Sequence, residues 1–308
     1  MNIKNKKISL SLEKGDLLCF LLIIPTLFIV FVVMIIPLFY GVFISLFNYD
    51  IGRNITGSDF IGLGNYLRFF KDETMLKSIA NTVIFALGAT AGDLIIGTLI
   101  AVLLLKITSK VRGLLRALYT MPLLISPIIV GLIWRYMYDP SSGFLYWILS
   151  FFGIGIDQFP GVTATSTALL SIIIAHWWQV TPFVIIVVTA GLVSIPNEYY
   201  EAAHIDGAGE IRTFFSISLP LLVKVYMVIL IISGVDTVKV FDIIYSLTQG
   251  GPANSTMSLS IYAYKNGFEM YQMGYAMAIA VFTMFVSFMV FGIPFIRFGI
   301  QDKQKEGA

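Results

Sequence analysis

Few side chains in this chain could do chemistry in an apolar setting. Ser233, Asp236, Thr237 and Val240 recur at i, i+3, i+4 and i+7, a spacing that places them on one helix face. His176 and Gln179 share a second face, with Trp177 and Trp178 alongside. Polar groups within membrane spans are costly and tend to face a bundle interior or a water-filled path, so both faces are candidates for lining a pathway. Their chemistry is hydrogen bonding, not bond making. The only two histidines, His176 and His204, have no Cys or His partners at metal-ligand spacing, and no nucleophile constellation is present. A Gly-x-x-x-x-Gly-Lys-Ser/Thr phosphate loop is also absent, so no cofactor and no catalysis are expected of this chain. The same residues have structural readings. Asp236, Lys239 and Asp242 are spaced as an i, i+3 ion-paired set near a membrane interface. His176 can serve as an interhelical hydrogen bonder, and Asn81 and Asp93 can hold helices together.

Composition dictates the elements that must position these groups. Hydrophobic residues make up 57% of the chain and charged residues only 12%, with a mean hydropathy of +0.87. A soluble domain would be about a quarter charged, so this is a polytopic membrane protein. A net charge of +2 with dispersed basic residues argues against a nucleic-acid partner, and one cysteine, Cys19, excludes an internal disulfide framework. Lys4, Lys6, Lys7 and Lys14 precede an uncharged run from Leu17 to Phe47, which is too long for a cleaved leader and contains Pro25 and Pro37 as expected kinks. Further spans are predicted at 79 to 105, 117 to 138, 167 to 192, 221 to 246 and 273 to 297, six in all.

The stretch between 106 and 116 carries Lys106, Lys110, Arg112 and Arg116 without an acid, whereas the stretch from Asp139 to Ser166 has neither Lys nor Arg. By the positive-inside rule both termini and the 106 to 116 turn are cytoplasmic, and so, by counting spans, is the segment from Ser194 to Leu222. One domain is expected: a cytoplasmic segment at 1–16, six spans over 17–298 and a cytoplasmic tail at 299–308.

The Ser194 to Leu222 segment is polar and charged between two apolar runs. Pro196 suits a first helical turn, Glu198 and Glu201 suit its positive end, and Gly207 can take the left-handed conformation that stops a helix. A second helical piece is expected from Gly209 to Leu219, with Pro220 breaking it or starting the next element. Glu201, Ala202 and Ala203, then Asp206 and Gly207, then Ile217, Leu219 and Pro220 match the spaced EAA pattern. In this the chain resembles the permease subunits of binding-protein-dependent ABC importers. The resemblance implies an all-α type I importer permease fold with six transmembrane helices, in which the EAA loop is a cytoplasmic coupling helix docked on an ATPase.

Other residues make the chain similar to the sugar branch of that family, the maltose and glycerol-3-phosphate type. These are Asn81-Thr82, Met121-Pro122, Trp134, Asp139-Pro140, Phe241-Asp242, Gly250-Gly251-Pro252, Tyr262 and Gly274-Tyr275. By position from Glu201, the resemblance assigns the two polar faces to the sugar pathway and Gly250, Gly251 and Pro252 to the binding-protein side. Sugar hydroxyls both donate and accept, and Asp, Gln, Ser and Thr can grip them while an aromatic ring covers the apolar face. The partners it implies are a cytoplasmic ATPase dimer holding ATP and Mg, a second homologous permease, an extracytoplasmic solute-binding protein, a carbohydrate and membrane lipid. A bacterial cytoplasmic membrane is the expected location. The rival readings are an ion-coupled secondary transporter using Asp93, Asp236 or His176, and a non-transporting docking subunit.

Overall fold

The computed structural model describes residues 14–297; the expected N-terminal basic cluster at Lys4, Lys6 and Lys7 and the 299–308 tail lie outside the described residues. Helices dominate, and the described residues contain no strand beyond one isolated bridge between Phe47 and Phe60. The first membrane-length helix, α1, runs Leu21–Ile44 and stays helical through Pro25 and Pro37 with a π-turn at Phe31–Ile35. The long helix α2 covers Glu73–Leu105. Then come α3 (Lys110–Leu124), α4 (Pro127–Met137) and the short α5 (Phe144–Ser150). Helix α6 covers Ala168–Ser194 and is followed by α7 (Asn197–Ile205), α8 (Glu210–Leu221) and α9 (Val223–Val238). Helices α10 (Asp242–Leu247), α11 (Leu259–Tyr264) and α12 (Met273–Arg297) complete the chain.

Four of these, α1, α2, α6 and α12, are each long and apolar enough to cross a membrane alone. The number rises to six only if each of two bent pairs counts as one span. The expected straight third span at 117–138 is divided between α3 and α4, which meet at 100°. Pro127 disfavours the helical conformation in the residue before it, and Ile125 and Ser126 accordingly lie in extended conformations (ψ 134° and 138°). The expected fifth span at 221–246 is likewise divided. Helices α8 and α9 meet at 60° around Leu222, and α9 stops at Val238, so Lys239 to Phe241 connect it to α10. Pro220 withholds a backbone donor in the turn before the bend.

Helices α2 and α6 form the central seam. Their approach depends on small residues: a Cβ on Gly92 would overlap the Trp177 indole, whose Nε1 donates to the carbonyls of Gly88 (3.2 Å) and Ala89 (3.0 Å). Along this seam the apolar packing falls into two clusters. One contains Phe85, Ala86 and Ala89 of α2 with Ile172, Ile173 and Ala175 of α6. The other contains Ala101 and Leu104 with Val184, Ile185, Val188 and Leu192. Between them lies a buried polar belt of Thr90, Asp93 and Thr98 on α2 and His176, Gln179 and Thr181 on α6.

Candidate functional site

At the C-terminal end of α2 and α6 the chain leaves the bundle as α7. Pro196 occupies its N-cap position and Glu198 lies in its first turn, where a carboxylate complements the helix dipole. The helix ends as its sequence predicts. Gly207 has φ +72°, the Gly207 amide donates to His204 O (3.1 Å) and the Ala208 amide to Ala203 O (2.9 Å), the paired bonds of a Schellman cap. Ala203 is buried against the bundle, while Glu201, Ala202, Asp206 and Gly207 are exposed. Ile217 and Leu219 are half-buried and Pro220 exposed on the return helix α8. Tyr200 and Ser218 share a hydroxyl hydrogen bond (3.2 Å) across the two helices, and Lys106 at the end of α2 pairs with Glu210. The outer surface of this loop combines two apolar side chains, Ile205 (87% exposed) and Ile211 (78%), with the carboxylates of Glu198, Glu201 and Asp206. Such a rigid capped knob, apolar with an acidic border, suits docking better than binding of a small molecule.

A cavity of about 380 Å³ opens where α6 faces the break after α9. Its wall includes His176, Gln179, Asp236 and Val240, so four of the six pathway residues expected from sequence come together there. Ser233 and Thr237 do not line it. Both are buried, and Thr237 donates to Gly234 O (2.6 Å) and lies 3.4 Å from the Thr90 hydroxyl. The shared face divides: Ser233 lies within a π-turn at Leu230–Gly234, Asp236 and Thr237 are consecutive and so about 100° apart around the helix, and the helix ends at Val238, two residues short of Val240. Asp236 is exposed and pairs with Lys239 at 3.0 Å, as the ion-pair alternative expected, but its third expected member, Asp242, takes no part.

Burial and hydrogen bonds fix the remaining wall. The Nε2 of His176 lies 3.2 Å from Oδ2 of Asp93, and Oδ1 of Asp93 accepts from Thr181 (2.9 Å). Gln179 donates from Nε2 to Ile125 O (2.9 Å), the carbonyl exposed by the α3–α4 break. Lys239, Phe241 and Asp242 also line the cavity, although sequence periodicity did not assign them to it. They belong to the non-helical link and the start of α10, where a helix-face pattern carries no information.

The opposite end is organised by Asp72. As the N-cap of α2 it accepts from the Met75 amide (3.1 Å), and its Oδ2 accepts from the hydroxyls of Tyr262 (2.6 Å) and Tyr275 (2.8 Å). Arg68 stacks on Tyr275, 3.9 Å from the ring centre. Burial pushes the Asp72 carboxyl up, but the hydrogen bonds from Tyr262, Tyr275 and Met75, with the nearby Arg68 charge, outweigh it and hold it below the usual carboxylate range. The sequence signal was available: an Asp directly before an acidic first turn and a long apolar run is an N-cap signature.

Gly250, Gly251 and Pro252 lie at the same end. The turn runs through left-handed residues at Gln249, Gly250, Ala253 and Asn254. Three groups on the first turns of α2 hold it: Lys77 donates to Ala253 O (3.0 Å), Asn81 donates to Asn254 O and Met257 O (both 3.1 Å), and Thr82 accepts from the Leu259 amide (2.9 Å). Asn81, expected to hold helices together, thus joins a helix to a loop. Nearby, Asp139 is held at about 2 by the side chain of Ser141, then by the amide and hydroxyl of Ser142 and the Ser141 amide.

The match with known proteins covers both ends. A family model described as a binding-protein-dependent transport system inner membrane component matches residues 93–294. The trehalose/maltose transport system permease protein MalF of Thermococcus litoralis is 38% identical over 280 residues, covering 91% of this chain and 92% of that protein. The sn-glycerol-3-phosphate transport system permease protein UgpA of Agrobacterium fabrum is 33% identical over 233 residues, 74% of this chain and 77% of that one. Among solved structures, a chain of a bacterial ABC transporter involved in import of the acidic polysaccharide alginate superposes with a TM-score of 0.78 at 23% identity, covering 94% of this chain and 96% of its own. At that identity the superposition shows the fold.

Proposed function

Because this chain belongs to the family of binding-protein-dependent transport system inner membrane components, a permease subunit of an ABC transporter, we propose that it forms half of an ATP-driven import pathway for a carbohydrate. A sugar, oligosaccharide or polyol reaches it from an extracytoplasmic solute-binding protein. The pathway is completed by a second, homologous permease chain, and the energy comes from a cytoplasmic ATPase dimer that binds ATP and Mg; this chain holds no cofactor of its own. Its place is the bacterial cytoplasmic membrane, with both termini and α7 on the cytoplasmic side.

The observation that carries this reading is the position of two features on one helix. The polar wall at Gln179 and the exposed α7 knob that follows Ser194 are separated by about 22 Å of continuous α6. A displacement of α7 by a docked ATPase thereby reaches the cavity wall through α6, by way of the non-helical Ile195–Pro196 link and past Pro182 within the helix. Coupling needs different contacts in the inward-facing and outward-facing states, and α6 is the element that joins the two places where they would be made. Glu201 is placed to meet a basic group of the ATPase, and Gly207 sets the end of α7.

Affinity purification of the chain from its native membrane tests the reading. Recovery of an ATPase, a second permease and a solute-binding protein is expected, together with uptake that requires ATP. A lone homo-oligomer without an ATPase would overturn it. The buried Asp93–His176 pair is the feature an ion-coupled carrier would use, and uptake that follows a proton gradient and ignores ATP would favour that rival.

A further inference from the structure

The fixed charge and hydrogen-bond character of the cavity wall limit which carbohydrate it can take. Resting on the transport reading above, we infer that this cavity accepts an uncharged, hydroxyl-rich saccharide and rejects acidic ones such as uronates and sugar phosphates, with Asp236 and Asp242 as the residues that set this selectivity.

Acceptors dominate the wall. Asp236 and Asp242 contribute carboxylates. Gln179 is 7% exposed and donates one amide hydrogen to Ile125 O, and its Oε1, which has no protein partner among the described residues, is an acceptor. The wall's one ammonium, Lys239, is already 3.0 Å from Asp236. The Nε2 of His176 faces Asp93. The carboxylate of Asp242 has no cation within ion-pair distance among the described residues, so the wall carries an excess of negative charge.

A ligand entering such a site must bring donors, which sugar hydroxyls supply, and Phe241 offers a ring for the apolar face of a pyranose. An anionic ligand would meet the unpaired carboxylate of Asp242 and the Lys239-paired carboxylate of Asp236, with no free guanidinium or ammonium from this chain to receive it, and like-charge contacts disfavour binding. Arginine is the usual recogniser of carboxylate and phosphate, and none lines this cavity. Discrimination here is by exclusion as much as by fit. The family tolerates both classes of cargo by name, so the chain itself, and not membership, decides which class it handles.

The test uses the purified permease complex containing this chain, without its solute-binding protein, titrated with maltose, digalacturonate and the glucosamine dimer. Maltose is expected to bind more than about tenfold tighter than digalacturonate. Asp242→Asn, which breaks no ion pair, and Asp236→Asn are expected to narrow that ratio by several-fold, with digalacturonate binding better and maltose, whose hydroxyls lose a charged acceptor, binding more weakly. Circular dichroism and assembly of the complex report whether each variant is folded. Equal or tighter binding of digalacturonate overturns the inference, as does a ratio unchanged in both folded variants. Failure of all three saccharides to bind overturns the cavity as a ligand site. ATP-dependent uptake in the intact importer is measured separately, so a charge-blind cavity in a working importer sinks this inference alone, and loss of ATP dependence sinks the transport reading instead.

Discussion

The Nε2 of His176 on α6 lies 3.2 Å from the Oδ2 of Asp93 on α2, in the polar belt between the two apolar clusters of the central seam. Both residues are buried, Asp93 to 1% exposure. Phe85 meets the imidazole edge-on at 5.4 Å, and Thr181 donates to the other carboxyl oxygen. The pair therefore bridges the two helices at the level of the cavity, alongside the Trp177 bonds to Gly88 and Ala89 that also tie them together.

Removing one partner of a buried pair strands the other, at a cost of about 3 kcal/mol or more. Asp93→Ala and His176→Ala should each lower the thermal midpoint of the purified chain in detergent. The double variant should be no worse than the poorer single one, because the stranded group is then gone. Additive losses would show that the two side chains act independently.

Gln179 supports the α3–α4 break through Ile125 O. Gln179→Leu leaves that carbonyl without its partner and should cost about 1–3 kcal/mol. Greater protease sensitivity near Leu124 to Pro127 than in the parent would register the loosened bend. Unchanged cleavage there would assign the bend to Pro127 alone.

At Gly207, φ of +72° is easy for glycine and costs an L-residue about 1–2 kcal/mol. Gly207→Val should therefore deform the end of α7 while the membrane helices persist, and Glu201→Ala should remove a contact without deforming anything. Both are expected to retain circular dichroism and assembly while reducing uptake relative to ATP hydrolysis. Normal uptake in both would remove α7 from the coupling mechanism.

Asp72 makes stability depend on pH. Its folded-state pKa lies below the ordinary value, so the ionised carboxylate contributes stability above the unfolded-state value near 4, and that contribution fades as pH falls below it. Melting in detergent should accordingly drop between pH 6 and pH 3. Tyr262→Phe combined with Tyr275→Phe removes two of the bonds that lower the pKa, and the drop should shrink. A pH response identical to the parent's would separate Asp72 from acid stability.

The loop from α7 to α8 was legible because its signals are local. Pro196, Glu198 and Gly207 act on their own turn of helix, and a Schellman cap needs only backbone within six residues, so the sequence determines it regardless of what packs nearby. The membrane class and most spans were legible for a similar reason, since hydropathy accumulates along the chain. What the sequence did not determine was how two spans break. The effect of Pro127 on its neighbours could be read, but not the 100° turn, nor that Ile125 O there accepts from Gln179 of another helix.

The candidate pathway divides in the same way. His176 and Gln179 sit on an unbroken helix, and their shared face survived folding onto the cavity wall. Ser233 and Thr237 stayed on the buried face while Asp236, one residue before Thr237, reached the wall, and Lys239, Phe241 and Asp242 joined it where α9 stops. Helical periodicity is a statement about one element with constant twist. Residue types, charge and caps were thus set by the sequence itself, whereas the set of side chains that share one cavity was decided by tertiary packing, because only packing fixes where a helix ends and which carbonyl it leaves for another helix to bind.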